Sequence, residues 1–209
     1  MTGNPDGADA AEAERAKTEL RREMRRRRKS FRFSDGGALR PEAAEADRRL
    51  AMALLSLPEI AACGSVFIYR SLPSEAGTGE AVSLLLAQGK LVFLPRTSGS
   101  RMDPVPYAEG TKLSRGAFGI EEPEGDAGRE VPEVTVLPLL AADADGNRLG
   151  CGGGYYDRYL CGKKTLRIGY CYDFQVVGRV CAQAHDERLD IIVTDTRVLR
   201  MHGGGGERQ

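Results

Sequence analysis

Five short apolar runs rich in β-formers stand out along the chain: Ser65–Tyr69, Lys90–Leu94, Val134–Leu137, Leu166–Tyr170 and Ile191–Thr194. Runs of this length that barely alternate are what a parallel sheet covered on both faces requires, so each is predicted to be a buried strand. Between them the apolar spacing turns helical. Pro41 to Ser56 buries Ala44, Leu50, Ala53, Leu54 and the adjoining Leu57, has proline at its first turn and is ended with the help of Pro58. Thr78 to Gln88 buries Ala81, Val82, Leu85 and Leu86, with Thr78 as cap and Gly89 as stop. An earlier helix, about Ala10 to Ser30, carries only a narrow stripe of Ala16, Leu20, Met24 and then Phe31, which places it on the surface. Strand, polar loop, helix and strand from Ser65 to Pro95 make one right-handed crossover unit. The prediction is an α/β fold: a single three-layer domain over residues 10–200, with a mostly parallel sheet flanked by helices and disordered tails at 1–9 and 201–209. The stretch 96–132 is weakly patterned, with a strand at Met102–Tyr107 and a loop at Gly116–Pro123 that tucks Phe118 and Ile120 inward.

Composition narrows the class. The chain has 209 residues and a formal net charge of +0, enough for one sizeable core and no global bias toward nucleic acid. No apolar run reaches the roughly 20 residues of a membrane span, and the first residues are acidic and polar where a signal peptide is basic and then apolar, so the expectation is a cytoplasmic protein. The five cysteines include Cys151, Cys161, Cys171 and Cys181 at intervals of ten, which suits no metal motif. They read as free thiols, mostly buried, with Cys151 the exception. Charge is uneven: bases crowd Arg15 to Arg32, and acids gather from Asp103 to Glu133 and from Asp186 to Asp195.

The chemistry concentrates in Asn147-Arg148-Leu149-Gly150-Cys151-Gly152-Gly153-Gly154-Tyr155-Tyr156-Asp157-Arg158-Tyr159-Leu160, a glycine loop running into a helix. Glycines let the backbone bring its N–H groups close to an anion, and the helix behind adds the positive end of its dipole. Arg148 and Arg158 offer charge-assisted hydrogen bonds, and Asp157 suits a hard cation. The same run also reads as a plain turn and helix cap, because neither the phosphate-loop ending Gly-Lys-Ser/Thr nor a spaced dinucleotide fingerprint is present. Tyr155 and Tyr159 at helical spacing read as packing, His185 as a surface or supporting histidine, and Asp186 and Asp190 alternatively as turn and strand-start residues. Lys17 and Arg21 lie one turn apart and can reach the same anion, while most other bases of that helix read as a solvated face.

Together these pieces resemble the 5-formyltetrahydrofolate cyclo-ligase family, also called methenyltetrahydrofolate synthetase. The family pattern GxRLGRGxGYYDRYL is matched by GNRLGCGGGYYDRYL at Gly146 to Leu160. Lys17-Thr-Glu-Leu-Arg21, Tyr69-Arg-Ser-Leu-Pro-Ser-Glu75, Gly119-Ile-Glu-Glu-Pro123 and His185-Asp186 through Asp190-Ile-Ile-Val-Thr194 follow the family's order over about Lys17 to Val198. The resemblance implies a Rossmann-like fold of the cyclo-ligase type. It also implies an ATP- and Mg2+-dependent ring closure of 5-formyltetrahydrofolate to 5,10-methenyltetrahydrofolate through phosphorylation of the formyl oxygen, with release of ADP and phosphate. It places ATP on Lys17, Arg21, Arg148, Leu149, Gly150, Cys151, Gly152, Gly153, Gly154, Tyr155 and Tyr156, the folate on Arg70, Glu75 and Tyr156, and magnesium on Asp157 and Asp186. No protein nucleophile is required, and Arg148 and Tyr156 act by positioning. The implied partners are small molecules, a reduced folate and ATP, and the expected state of the chain is a monomer with no membrane or nucleic-acid partner.

Two positions depart from the family pattern. Cys151 stands where arginine is usual, and Gly77 where an acid usually follows Glu75. Losing an arginine contact to phosphate removes on the order of 1.5–3 kcal/mol. Two other readings therefore stay open: a folate- or nucleotide-binding protein of the same fold with weakened catalysis, and a nucleic-acid binder acting through Arg15 to Arg32. The second is disfavoured because aromatics near those bases end at Phe31 and Phe33.

Overall fold

The computed structural model describes residues 5–116, 119–182 and 186–201, with side chains from residue 11 onward. Phe118 and His185 fall outside that set. Among the described residues five α-helices, α1 (Pro5–Arg32), α2 (Pro41–Leu55), α3 (Pro58–Ala62), α4 (Gly79–Ala87) and α5 (Tyr155–Leu160), accompany eleven strands. Seven strands form one sheet: β1 (Ser65–Ile68), β2 (Leu91–Ser98), β3 (Arg101–Tyr107), β6 (Val134–Leu137), β9 (Leu166–Tyr170), β10 (Ile191–Val193) and β11 (Val198–Arg200). Two small ribbons, β4 (Leu113–Arg115) with β5 (Glu121–Pro123) and β7 (Ala141–Ala142) with β8 (Arg148–Leu149), sit outside it. The strand order is β11-β10-β9-β6-β1-β2-β3; the five inner strands run parallel and the two edges pair antiparallel.

The period of two along each inner strand divides the core. Val66 and Ile68 of β1, Val92 and Leu94 of β2 and Val134 and Val136 of β6 face the α2–α4 layer, where Leu50, Leu54, Ala81 and Leu85 meet them. Phe67, Phe93, Leu137 and Ile192 face the other way, against Tyr159 and Leu160 of α5. This is the expected three-layer α/β arrangement. β2 hairpins directly into β3, which puts one antiparallel strand at that edge. Pro58 does not merely end α2: it begins α3, since its fixed φ suits a first helical turn.

α1 begins at Pro5, earlier than the expected tail of residues 1–9 allows, and at the other terminus Met201 is still tied to the sheet, its N–H donating to Asp190 O at 2.9 Å. Its apolar stripe is narrower still than the sequence suggests: Met24 is buried against Leu140, Ala141, Leu149 and Val180, Leu20 and Phe31 are half-buried, and Ala16 is exposed. What holds it is charge. Lys17, Arg21, Arg25, Arg28 and Arg32 lie within about 80° of arc at about 100° per residue, on the side turned to the protein.

Neighbouring strands β1 and β6 are the point at which connections diverge. β1 is followed through α4 by β2 on one side, and β6 through α5 by β9 on the other. The loops after these two strands separate there and leave a crevice at their carboxyl ends, the place open α/β sheets reserve for ligands.

Candidate active site

A cavity of about 580 Å³ occupies that crevice. From the β1 loop come Tyr69, Arg70, Leu72 and Glu75, and from the β6 side Pro138 and the whole stretch Arg148 to Arg158. α1 closes the top with Glu14, Lys17 and Arg21, and Asp186 enters from the segment before β10. Every residue singled out from the sequence as a ligand contact therefore lines one cavity, which is of the size that holds a small-molecule ligand.

Among the described residues, the glycine loop has carbonyls bonded and its N–H groups unused. Its carbonyls are taken up by arginines: Arg21 Nε donates to Gly150 O at 3.3 Å, Arg25 Nη2 to Cys151 O at 3.1 Å and Arg158 Nη2 to Gly153 O at 2.8 Å. Among the described residues, the N–H groups of Gly150, Cys151, Gly152, Gly153 and Gly154 donate to nothing. Gly152 and Gly154 have φ of +103° and +64°, a twist that side chains resist, and all five loop residues line the cavity. α5 behind the loop has only six residues, so the donors facing this region are loop amides more than the end of a long helix dipole.

The charged residues around it are pre-paired. Arg148, almost fully buried, donates from Nη2 to Asp157 Oδ1 at 2.6 Å, and its guanidinium lies 6.0 Å from the centre of the Tyr156 ring. Lys17 Nζ meets Asp186 Oδ2 at 3.0 Å. Arg158, also on the cavity wall, is engaged in the same way: it donates to Ser100 O at 3.0 and 3.1 Å and lies over the Tyr155 ring, tying the loop to the β2–β3 hairpin. Tyr159 is packing as expected, edge-on to Phe67, and burial pushes its hydroxyl up to about 12. Tyr155 donates to Gly99 O at 2.9 Å and also lines the cavity, and Tyr156 stacks on Phe67, with burial raising its hydroxyl well above the ordinary tyrosine range.

On the facing wall, Glu75 is 6 % exposed and accepts from Leu72 N–H at 2.9 Å. Burial raises its carboxyl above the usual range, against the pull of that N–H, Arg28 and Arg32. Arg70 pairs with Glu121 at the cavity rim. The missing acid at Gly77 has a spatial answer. A Cβ built there would lie 2.5 Å from Asp47 Oδ2, and Gly77 N–H donates to Asp47 Oδ1 at 2.8 Å. Asp47, reaching over from α2, fills the space a side chain at 77 would need, and it also holds Arg32 at 2.7 Å and the Tyr172 hydroxyl at 2.6 Å.

Sequence reasoning missed Glu14, Tyr69, Thr97, Met102 and Glu122 as lining residues, and missed the inward role of Arg25, Arg28 and Arg32. The signal for the latter was present in the 4-4-3-4 spacing of cations from Lys17 to Arg32. The free thiols include an exposed Cys161 as well as Cys151.

A family model described as the 5-formyltetrahydrofolate cyclo-ligase family matches residues 13–195. The chain belongs to this family. It is 31% identical over 172 residues to the 5-formyltetrahydrofolate cyclo-ligase of Escherichia coli K12, covering 77% of this chain and 94% of that one. It is 28% identical to the mouse protein of the same name, over 74% and 87% of the two chains. The NMR structure of the Aquifex aeolicus 5,10-methenyltetrahydrofolate synthetase superposes with a TM-score of 0.77 at 31% identity, over 92% of this chain and 96% of that one. The Mycoplasma pneumoniae 5,10-methenyltetrahydrofolate synthetase, 20% identical with a TM-score of 0.62, has the same fold. This cyclo-ligase family member is thus an enzyme, and among its described residues no helix is long and apolar enough to cross a membrane.

The cavity also has a donor set that suits a magnesium ion arriving with phosphate. Asp157 and Asp186 are hard oxygen donors, 28% and 21% exposed, each set against a base that phosphate oxygens can draw away.

Proposed function

We propose that this chain converts 5-formyltetrahydrofolate and ATP to 5,10-methenyltetrahydrofolate, ADP and phosphate. The observation that carries the proposal is the row of undonated amides at Gly150 to Gly154 across one cavity from Glu75, a phosphate cradle facing an acceptor for a folate's N–H groups. The formyl oxygen must leave as the second folate nitrogen attacks the formyl carbon, and oxygen leaves far better as phosphate than as hydroxide. The protein's task is to hold the γ-phosphate in line with that oxygen and to spread the charge that develops. The loop amides, Lys17, Arg21 and Arg148 surround the phosphates, and Tyr156 and Glu75 orient the folate. Asp157 and Asp186 would hold Mg2+, which when bound neutralises phosphate charge. α1 lies over the cavity with Glu14, Lys17 and Arg21, and its basic stripe is drawn inward to carbonyls and carboxylates and so is accounted for without nucleic acid.

A spectrophotometric assay tests this. Methenyl absorbance is expected to appear only with ATP and magnesium together, in step with ADP, and to be largely lost in Asp157→Asn; absorbance growing without ATP contradicts the reading. A second reading is favoured by Cys151, an exposed thiol on the cavity wall that brings no charge: a binding protein with weakened catalysis. Under it, wild type binds ATP by calorimetry yet turns over negligibly, and Cys151→Arg restores activity. Under the cyclo-ligase proposal wild type is already active, and Cys151→Arg changes turnover by less than about tenfold, because Arg21 and Arg25 already flank the loop.

A further inference from the structure

Arg28 lies midway along the inward stripe of α1 and is 4% exposed. Its Nη1 is 3.3 Å from Leu139 O and 3.8 Å from Glu75 Oε1, and its buried Nε has no hydrogen-bond partner. The Leu139 carbonyl is already bonded by Gln175 Nε2 at 2.8 Å. Glu75 is the only carboxylate within 4.0 Å of this guanidinium among the described residues. Glu75 in turn uses Oε2 on Leu72 N–H, while Oε1 accepts no hydrogen bond among the described residues. The charged and titratable groups facing it are Arg28 and Arg32 from α1, Tyr69 at the end of β1 and Tyr156 from α5. Tyr69 is buried and Tyr156 half-buried, desolvation keeps both hydroxyls neutral, and the charge of Arg32 is matched by Asp47 at 2.7 Å. One uncommitted cation remains beside Glu75, and it stands just beyond hydrogen-bond distance.

Resting on the cyclo-ligase reading, we propose that Arg28 is a positioning residue for the folate site: it keeps Glu75 ionised by charge alone and leaves Oε1 to accept a substrate N–H. A closer ion pair would spend that oxygen on the arginine, whereas no cation at all would let burial protonate the acid and turn an acceptor into a donor. Burial already pushes the Glu75 carboxyl upward, so the balance is sensitive to Arg28.

The direct test is a 13C NMR titration of the Glu75 carboxyl carbon, assigned by its disappearance in Glu75→Gln. In Arg28→Gln the midpoint is expected to rise by about one to three pH units, the usual effect of removing a charge at this distance, and in Arg28→Lys to stay near wild type. An unmoved midpoint in Arg28→Gln overturns the proposal. In turnover, Arg28→Gln should raise the KM for the formyl folate roughly tenfold at neutral pH, leave the KM for ATP within about twofold, and move the acid limb of kcat/KM upward. A purely structural Arg28 would lower kcat/KM at every pH with the limb in place. A wild type without turnover defeats the functional reading, and the titration still decides the role of Arg28. If Arg28→Gln alone does not fold, the double variant Arg28→Gln/Glu75→Gln is expected to fold, since neither charge is then stranded; equal failure of the double variant overturns the pairing.

Discussion

Gly152→Ala separates a loop built for binding from a loop that merely connects. At Gly152 the backbone has φ of +103°, beyond the narrow left-handed region that side chains tolerate, and holding alanine there costs about 1–3 kcal/mol. Space is not the issue: a Cβ would lie 3.8 Å from Arg21 Nε and 3.9 Å from its Cζ, ordinary contact distances. The whole cost is conformational, and the loop can relieve it by rotating the adjoining peptides, because residues 151–153 are exposed. Rotation turns amides away from the cavity. The free protein then loses little stability, and a phosphate ligand must restore the strained form on binding. The strain therefore appears as an affinity loss of about 5- to 150-fold for ATP with magnesium, with the melting temperature lowered by less than about 2 °C. Gly89→Ala is the control. Its φ is +74°, nothing lies within 4 Å of the added Cβ, and its N–H closes α4 on Leu86 O at 2.9 Å. Strain there cannot be shed without uncapping the helix, so that variant should lose about 2–6 °C with ATP affinity intact. Calorimetric titration and thermal unfolding of both variants decide it. Gly152→Ala binding ATP within twofold of wild type would refute the reasoning.

Two further outcomes follow from the same structure. Gly77→Asp should destabilise the fold by about 2 kcal/mol or more, because its Cβ meets Asp47 Oδ2 at 2.5 Å and brings two carboxylates together; the same change made with Asp47→Ala should recover part of the stability that Asp47→Ala alone loses by stranding Arg32, as chemical denaturation of the three variants will show. For Glu75, burial raises the folded carboxyl above its usual value of 4.5, so folding takes up a proton; the contribution of this group to stability is full below 4.5 and is lost as pH rises through the raised folded value, a slope that should be absent from Glu75→Gln in stability measured against pH, whereas parallel curves for the two proteins would contradict the assignment.

The inner strands were legible because each is a short apolar run bounded by turn residues, and the β1–α4–β2 unit because its helix has both a clear stripe and a glycine stop. β7 and β8, at two residues each, are too short to show a period, and β11 is hidden because Val198 and Arg200 are exposed at an edge. The glycine loop, both aspartates and Glu75 could be named in advance from their motifs. The work of α1 could not. Arg25, Arg28 and Arg32 reach backbone carbonyls at Cys151, Leu139 and Pro73, and carbonyls carry no side-chain signature in a sequence. Asp47 was invisible for a similar reason: it replaces in space a group absent at 77 from thirty residues away in the chain.

The account depends on the amides of the glycine loop being donors in waiting. A 1H–15N titration of the protein with ATP and magnesium reads them one by one. The resonances of Gly150, Cys151, Gly152, Gly153 and Gly154 should move downfield together as each N–H begins to donate, saturating with the affinity seen by calorimetry. Shifts that gather elsewhere while these five stay fixed would contradict it.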